Sequence, residues 1–242
     1  QGKLAAAEDS YKQGQQQLSQ LERDYPEVVA YQSALAESFN SLAALQAALG
    51  KTAETEENRR QALVLLLQLA RNHPEILEYQ SRLATTRFKL ADLYVHLKRH
   101  SEAEPLYSQA LEVLDSLARE HPERIAFRNS LGITQAGYAL LLAETQRAAE
   151  AEKLFRETLR VQEPLAQEHP ELAEYQSNLA LTYSNFANLM VGQKRHSEAV
   201  ELFKQSIALQ QALVKANPNQ VAYAIELGKV FGTVGRYLSD QS

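Results

Sequence analysis

His73-Pro74-Glu75, His121-Pro122-Glu123 and His169-Pro170-Glu171 are one tripeptide met three times, at an interval of 48 residues. Working outward, Tyr25-Pro26-Glu27 lies one interval before and Asn217-Pro218-Asn219 one interval after, so five prolines keep a single period without drift. A fixed period in the range of about 20 to 50 residues marks a solenoid, in which each unit buries its apolar face only by stacking on its neighbours.

Alignment on the prolines shows what each unit contains. Five residues after each proline stand Tyr31, Tyr79, Phe127, Tyr175 and Tyr223; nine after stand Leu35, Leu83, Leu131, Leu179 and Leu227; sixteen after stand Leu42, Leu90, Tyr138, Phe186 and Val234. Steps of four and seven trace one face of a helix. This first helix, helix A, is expected to run about 21 residues, as in Ala173 to Gln193, and to end at a cation (Lys51, Arg99, Arg147, Arg195) that suits the negative end of its dipole. A second helix, helix B, then opens on a glutamate (Glu54, Glu102, Glu150, Glu198), with Ser101 and Glu104 spaced as a capping box. It carries an apolar stripe such as Ala103, Tyr107, Ala110, Leu111 and Leu114, and it stops at the next proline. Each unit is thus a helical hairpin. Two prolines inside helix B test the scheme: Pro105 falls near a first turn, whereas Pro164 should kink its helix or end it early.

The units read as follows: residues 3–26 are a lone helix B, with Ala7 and Tyr11 in the places of Ala199 and Phe203. Residues 27–74, 75–122, 123–170 and 171–218 are full repeats, and 219–242 are a lone helix A, all within one array over 1–242. Val230, Phe231, Val234 and Leu238 would leave apolar surface at the C-terminal end. The opening Gln1-Gly2-Lys3 reads as a piece of something longer.

Composition excludes several classes. The formal net charge is -5, from 25 basic and 30 acidic residues. These are interspersed and leave no basic stripe to neutralise a phosphate backbone, so no nucleic acid is expected as partner. Apolar runs such as Ala62 to Leu67 fall far short of the roughly 20 residues that cross a bilayer, so no membrane span is expected. The absence of cysteine removes disulfides, thiolate metal sites and a cysteine nucleophile, and points to a reducing, cytoplasmic setting. No glycine cluster follows a strand pattern, so a nucleotide site has no support. His73, His121 and His169 recur in register, but helices pack some 8–10 Å apart and metal ligands must lie within about 2.1 Å of one ion. They read as turn residues, and His96 with His100 makes at most half a site. No metal, no cofactor and no catalytic constellation is expected.

Ala91, Tyr94, Ala103, Tyr107 and Ala110 resemble the hallmark of the tetratricopeptide repeat: a small then a large residue on helix A, and a small, an aromatic and a small residue on helix B. Ala139, Leu142, Ala151, Phe155 and Thr158 repeat it, as do Ala187, Met190, Ala199, Phe203 and Ser206. The first copy departs, with Ala43, Gln46, Thr55, Arg59 and Ala62. The 14 residues beyond that family's 34 lengthen both helices by about a heptad, which is similar to arrays beside bacterial signalling domains such as serine/threonine kinases. The resemblance implies an all-α, right-handed superhelical solenoid of antiparallel helix hairpins. It also implies a non-catalytic protein-interaction scaffold whose concave groove, lined by the A helices, binds a peptide or helical segment.

Carried onto this chain, that groove shows Arg82 and Lys89 in the second copy, Asn129, Ile133 and Leu140 in the third, Asn178, Leu181, Asn185 and Asn188 in the fourth, and Lys229 on the last helix. Asn185 stands where peptide-binding members place an asparagine against the ligand main chain, a role that suits an amide because it donates and accepts. The family's carboxylate clamp is not reproduced, since Ala136, Leu140 and Thr233 replace three of its five residues. The second reading is a self-assembly module that stacks copies end to end through exposed apolar ends, in a regulatory region of a larger signalling protein.

Overall fold

The computed structural model describes residues 2–239 and contains ten helices in sequence: α1 (Gly2–Asp24), α2 (Val29–Ala48), α3 (Thr52–Asn72), α4 (Leu77–His96), α5 (His100–Glu120), α6 (Ile125–Glu144), α7 (Ala148–Glu168), α8 (Ala173–Gly192), α9 (His196–Ala216) and α10 (Val221–Ser239). Among the described residues there is no strand. The chain divides into two compact units, Gln1–Leu117 and Ala118–Ser242. In the first, α1 packs on α2, α2 on α3 and α3 on α4; in the second, α6 packs on α7, α7 on α8, α8 on α9 and α9 on α10.

The 48-residue period appears as two alternating turns. Where helix B meets helix A, the His73 amide closes on Leu69 O at 2.9 Å and the Ile76 amide on His73 O at 3.1 Å. The His73 ring meets Tyr79 edge-on at 6.2 Å, as His121 meets Phe127 at 6.3 Å and His169 meets Tyr175 at 6.0 Å. The repeated histidines and the repeated aromatics are therefore two halves of one staple. Where helix A meets helix B, one residue takes a left-handed conformation at the same place in every copy: Gly50 (φ 72°), Lys98 (φ 60°), Gln146 (φ 62°) and Lys194 (φ 60°). The Arg195 amide then reaches Met190 O at 2.9 Å and the Lys194 amide reaches Val191 O at 2.9 Å, the paired bonds of a Schellman cap.

The hallmark small residues lie inside the helix contacts. Ala43, Ala62, Ala91, Ala110, Ala139, Thr158, Ala187 and Ser206 are all fully buried. Around them the second unit gathers Phe155, Phe186, Met190, Ala199 and Phe203 into one cluster, with Phe155 stacked on Phe186 at 5.4 Å.

Five sequence expectations change. The repeated cation does not end helix A: Lys51, Arg147 and Arg195 are the N-caps of α3, α7 and α9. A cation there opposes the helix dipole, and carboxylates offset it. Lys51 Nζ reaches Glu8 Oε2 at 2.7 Å, Arg99 reaches Glu56 and Glu102 at 2.7 Å each, and Arg195 pairs with Glu152 and Glu198. In each case the longer link joins consecutive B helices, so the cation clasps one repeat to the next. Ser101 is the second residue of α5, inside the helix and not its cap. Pro105 is the sixth residue of α5, past the first turn, and costs a rung of the ladder without ending the helix. Pro164 does not end α7, which runs its full 21 residues; Leu165 and Ala166, buried against Tyr175 and Leu179, hold the last turn in place. At the termini, Tyr11 is 43% exposed, while Val230 is buried in the Phe203 cluster and not on the surface. The Leu238 side chain lies outside the described residues.

Two measurements check this account. A left-handed conformation costs a residue with a Cβ roughly 1–2 kcal/mol, so Lys194→Gly should raise the urea midpoint by an amount worth about 1 kcal/mol at unchanged slope. Lys12 and Lys51 hold the Glu8 carboxyl down to about 2. Its folded-state value is below its unfolded one, so the stability it contributes is present above the ordinary glutamate range of about 4.3 and is lost as pH falls toward 2. The gap in urea midpoint between the native chain and Glu8→Gln should therefore close between pH 4.5 and 2, and a gap independent of pH would contradict the clasp.

Candidate functional site

The A helices carry the residues that vary between copies, and in each unit two of them border an open cavity. In the second unit a cavity of about 390 Å³ lies between α6 and α8, lined by Leu140, Ala143, Asn185, Asn188 and Leu189 among others. Asn185 and Asn188 sit one turn apart on α8, which places both on the same side. Neither side-chain amide has a hydrogen-bond partner among the described residues. The apolar wall supplied by Leu140 and Leu189 and the two unengaged amides thus share one space.

The other residues expected in the groove fall differently. Asn178 donates to Asn129 Oδ1 at 3.3 Å, and Asn129 donates to Glu174 Oε1 at 3.3 Å, so these amides partly satisfy one another. Ile133 is half-buried and Leu181 is 50% exposed, and neither borders the α6–α8 cavity. Lys229 is engaged with Glu226 at 2.6 Å.

In the first unit Arg82 and Lys89 line a larger open cavity of about 650 Å³ between α2 and α4. Arg82 donates to Ser33 Oγ at 2.9 Å and to Ser33 O at 3.2 Å. The floor holds residues that motif reading passed over. Arg59 stands where Tyr107, Phe155 and Phe203 stand in later copies, and like them it is buried, at 8% exposure. Its Nη1 donates to Asn40 Oδ1 at 3.1 Å, and Asn40 donates in turn to Thr86 Oγ1 at 2.9 Å. Alongside, Asn58 donates to the buried Gln46 Oε1 at 2.8 Å and accepts from Gln15 at 3.1 Å. In place of the apolar hallmark the first copy has two polar networks, one around Arg59 and one around Asn58. Its departure from the repeat pattern was the available signal.

Among the described residues no group of three or more His, Asp or Glu is placed to hold a metal ion, and no helix is long and apolar enough to cross a membrane. His96 of the expected half-site lies 3.7 Å from Asp92.

Comparison with known proteins agrees with the geometry. A tetratricopeptide-repeat family model matches residues 173–219, which hold α8 and α9. The crystal structure of BtubC (BKLC) from P. vanneervenii superposes with a TM-score of 0.64 over 97% of this chain and 85% of that one, at 19% identity. A Podosopora anserina putative kinesin light chain with nearly identical TPR-like repeats superposes at 0.51, over 89% of this chain and 97% of that one, at 22% identity. No curated protein matches the sequence. At these identities the likeness is one of fold, that of an all-α helical solenoid. One repeat of this chain thus matches the tetratricopeptide-repeat model, and the whole chain shares the all-α hairpin fold of these structures.

Proposed function

We propose that this chain is a non-catalytic interaction scaffold that binds an extended peptide or a helical segment along its A helices. Tetratricopeptide folds serve protein–protein interaction and scaffolding in general. The observation that carries the finer reading is the pair Asn185 and Asn188, unengaged and facing the α6–α8 cavity beside Leu140 and Leu189. Amides of this kind bond a peptide main chain by donating and accepting at once, while the leucines receive an apolar side chain. Where Asn129 and Asn178 satisfy each other, the same residue type is less available, so the contact centres on the C-terminal half of α8.

A second observation favours self-assembly as an additional property. On α10, Val221, Ile225 and Phe231 are 68%, 53% and 48% exposed. Their spacing of four and six residues places Val221 and Ile225 on one stripe, with Phe231 roughly 80–120° round the helix from it. A second copy could cover that stripe.

Both readings yield measurable outcomes. Peptides selected from a displayed random library on the native chain should bind Asn185→Ala/Asn188→Ala about 10-fold or more weakly, each lost amide contact being worth roughly 1 kcal/mol, with the melting temperature unchanged. Undiminished binding would remove this site from the account. Sedimentation of the chain from low to high micromolar concentration should show growth in mass that Ile225→Lys/Phe231→Lys abolishes; a single unchanged mass would dismiss the second reading.

A further inference from the structure

Arg59 presents an energetic problem that the scaffold does not solve. A guanidinium removed from water costs several kcal/mol unless a carboxylate and further hydrogen bonds compensate it. Arg59 is more than nine-tenths buried, yet among the described residues its one hydrogen bond goes to the neutral Asn40. Among the described residues no carboxylate lies within ion-pair distance, and Asp92 acts on it only from further away. Burial accordingly pushes its pKa down from the ordinary arginine value.

The space around Arg59 is open on two sides. The cavity of about 650 Å³ between α2 and α4 and a neighbouring one of about 450 Å³ both include Arg59, Ala44 and Lys89 in their walls. A fork of N–H donors with one neutral acceptor therefore borders open room large enough for a side chain. The charge around the larger cavity is also specific: Arg59, Arg82 and Lys89 face Glu37 and Glu78. With Asp92, which lines the neighbouring cavity and acts on Arg59, the fixed charges are even, so no excess of positive charge favours a dianion such as phosphate. A planar carboxylate is the monoanion whose shape matches the guanidinium fork.

We propose that the α2–α4 cavity is a binding site for a single carboxylate, received by Arg59 from an aspartate or glutamate side chain of a peptide partner. The site shares no residue with the Asn185–Asn188 cavity. It rests on the scaffold reading only for the source of the carboxylate. The later copies cannot offer the same site, because an aromatic ring fills the position in each.

The test titrates sodium propionate into the native chain and follows the Arg59 Nε–Hε resonance by NMR, with propionamide and methyl phosphate as parallel probes. Saturable shifts with propionate, none with propionamide and weaker ones with methyl phosphate are expected. Arg59→Tyr, which installs the residue found at Tyr107, should melt no lower than the native chain and should weaken propionate binding about tenfold or more, read from the amides of Ala44 and Thr86. A blocked Gly-Gly-Glu-Gly-Gly peptide should bind more tightly than propionate, and its glutamine counterpart should not bind. No saturable shift, or equal binding by Arg59→Tyr, would overturn the site; tighter binding of methyl phosphate would overturn the carboxylate; exclusion of the peptide would overturn the peptide source. Asn185→Ala/Asn188→Ala leaves this readout untouched, so failure here and failure of the α8 site are separate results.

Discussion

Two helices can come close along their length only where both present small side chains, and this contact sets the geometry on which the molecule depends. Ala91, Ala110, Ala139, Thr158, Ala187 and Ser206 are fully buried, and Ser206 Oγ donates to Ala180 O at 2.7 Å across the α8–α9 contact. Once they fix the hairpin, the aromatic residues fill what remains, as Phe155 does against Phe186. A hairpin of this size still exposes an apolar face, which the next hairpin covers. The period is the sequence record of that demand: inserting one residue anywhere in a unit would rotate its contacts by about 100°.

The clasp of each N-cap cation on two B helices adds a polar register to the apolar one. Arg99 with Glu56 and Glu102 repeats as Arg195 with Glu152 and Glu198, and Lys51 with Glu8 gives the same link in simpler form. These groups are only partly covered, so each link contributes modestly. Their worth lies in specifying which B helix follows which, because a cation at a helix N-terminus is unfavourable without its carboxylates.

Much of this was legible in the sequence, for a physical reason. Scaffold positions repeat because every copy must solve the same packing problem, so the prolines, the aromatic following each of them and the small hallmark residues announced helix number, length and turns. Long-range roles were less legible: one-dimensional spacing assigned Arg195 to the end of one helix, while its partner Glu152 lies 43 residues away. The left-handed turn was hidden as well, because Lys98, Gln146 and Lys194 take a conformation that glycine would have signalled. Proline at 164 looked disruptive because local propensity was weighed without the packing of Leu165 and Ala166. Candidate binding residues were legible only in part. Copy comparison picked out the asparagines of α8, yet it could not show that Asn129 and Asn178 bond each other while Asn185 and Asn188 remain unengaged. Arg59 was visible as a departure from the pattern, and its meaning emerged only with its burial.

The proposed function divides the chain accordingly: positions that repeat build the array, and positions that differ on the A helices are assigned to the partner. Hydrogen–deuterium exchange of the native chain with and without a library-selected peptide tests that division directly. The account predicts added protection over residues 140–148 and 185–193, which border the α6–α8 cavity. Protection confined to the B helices α7 and α9, with those segments unchanged, would contradict it.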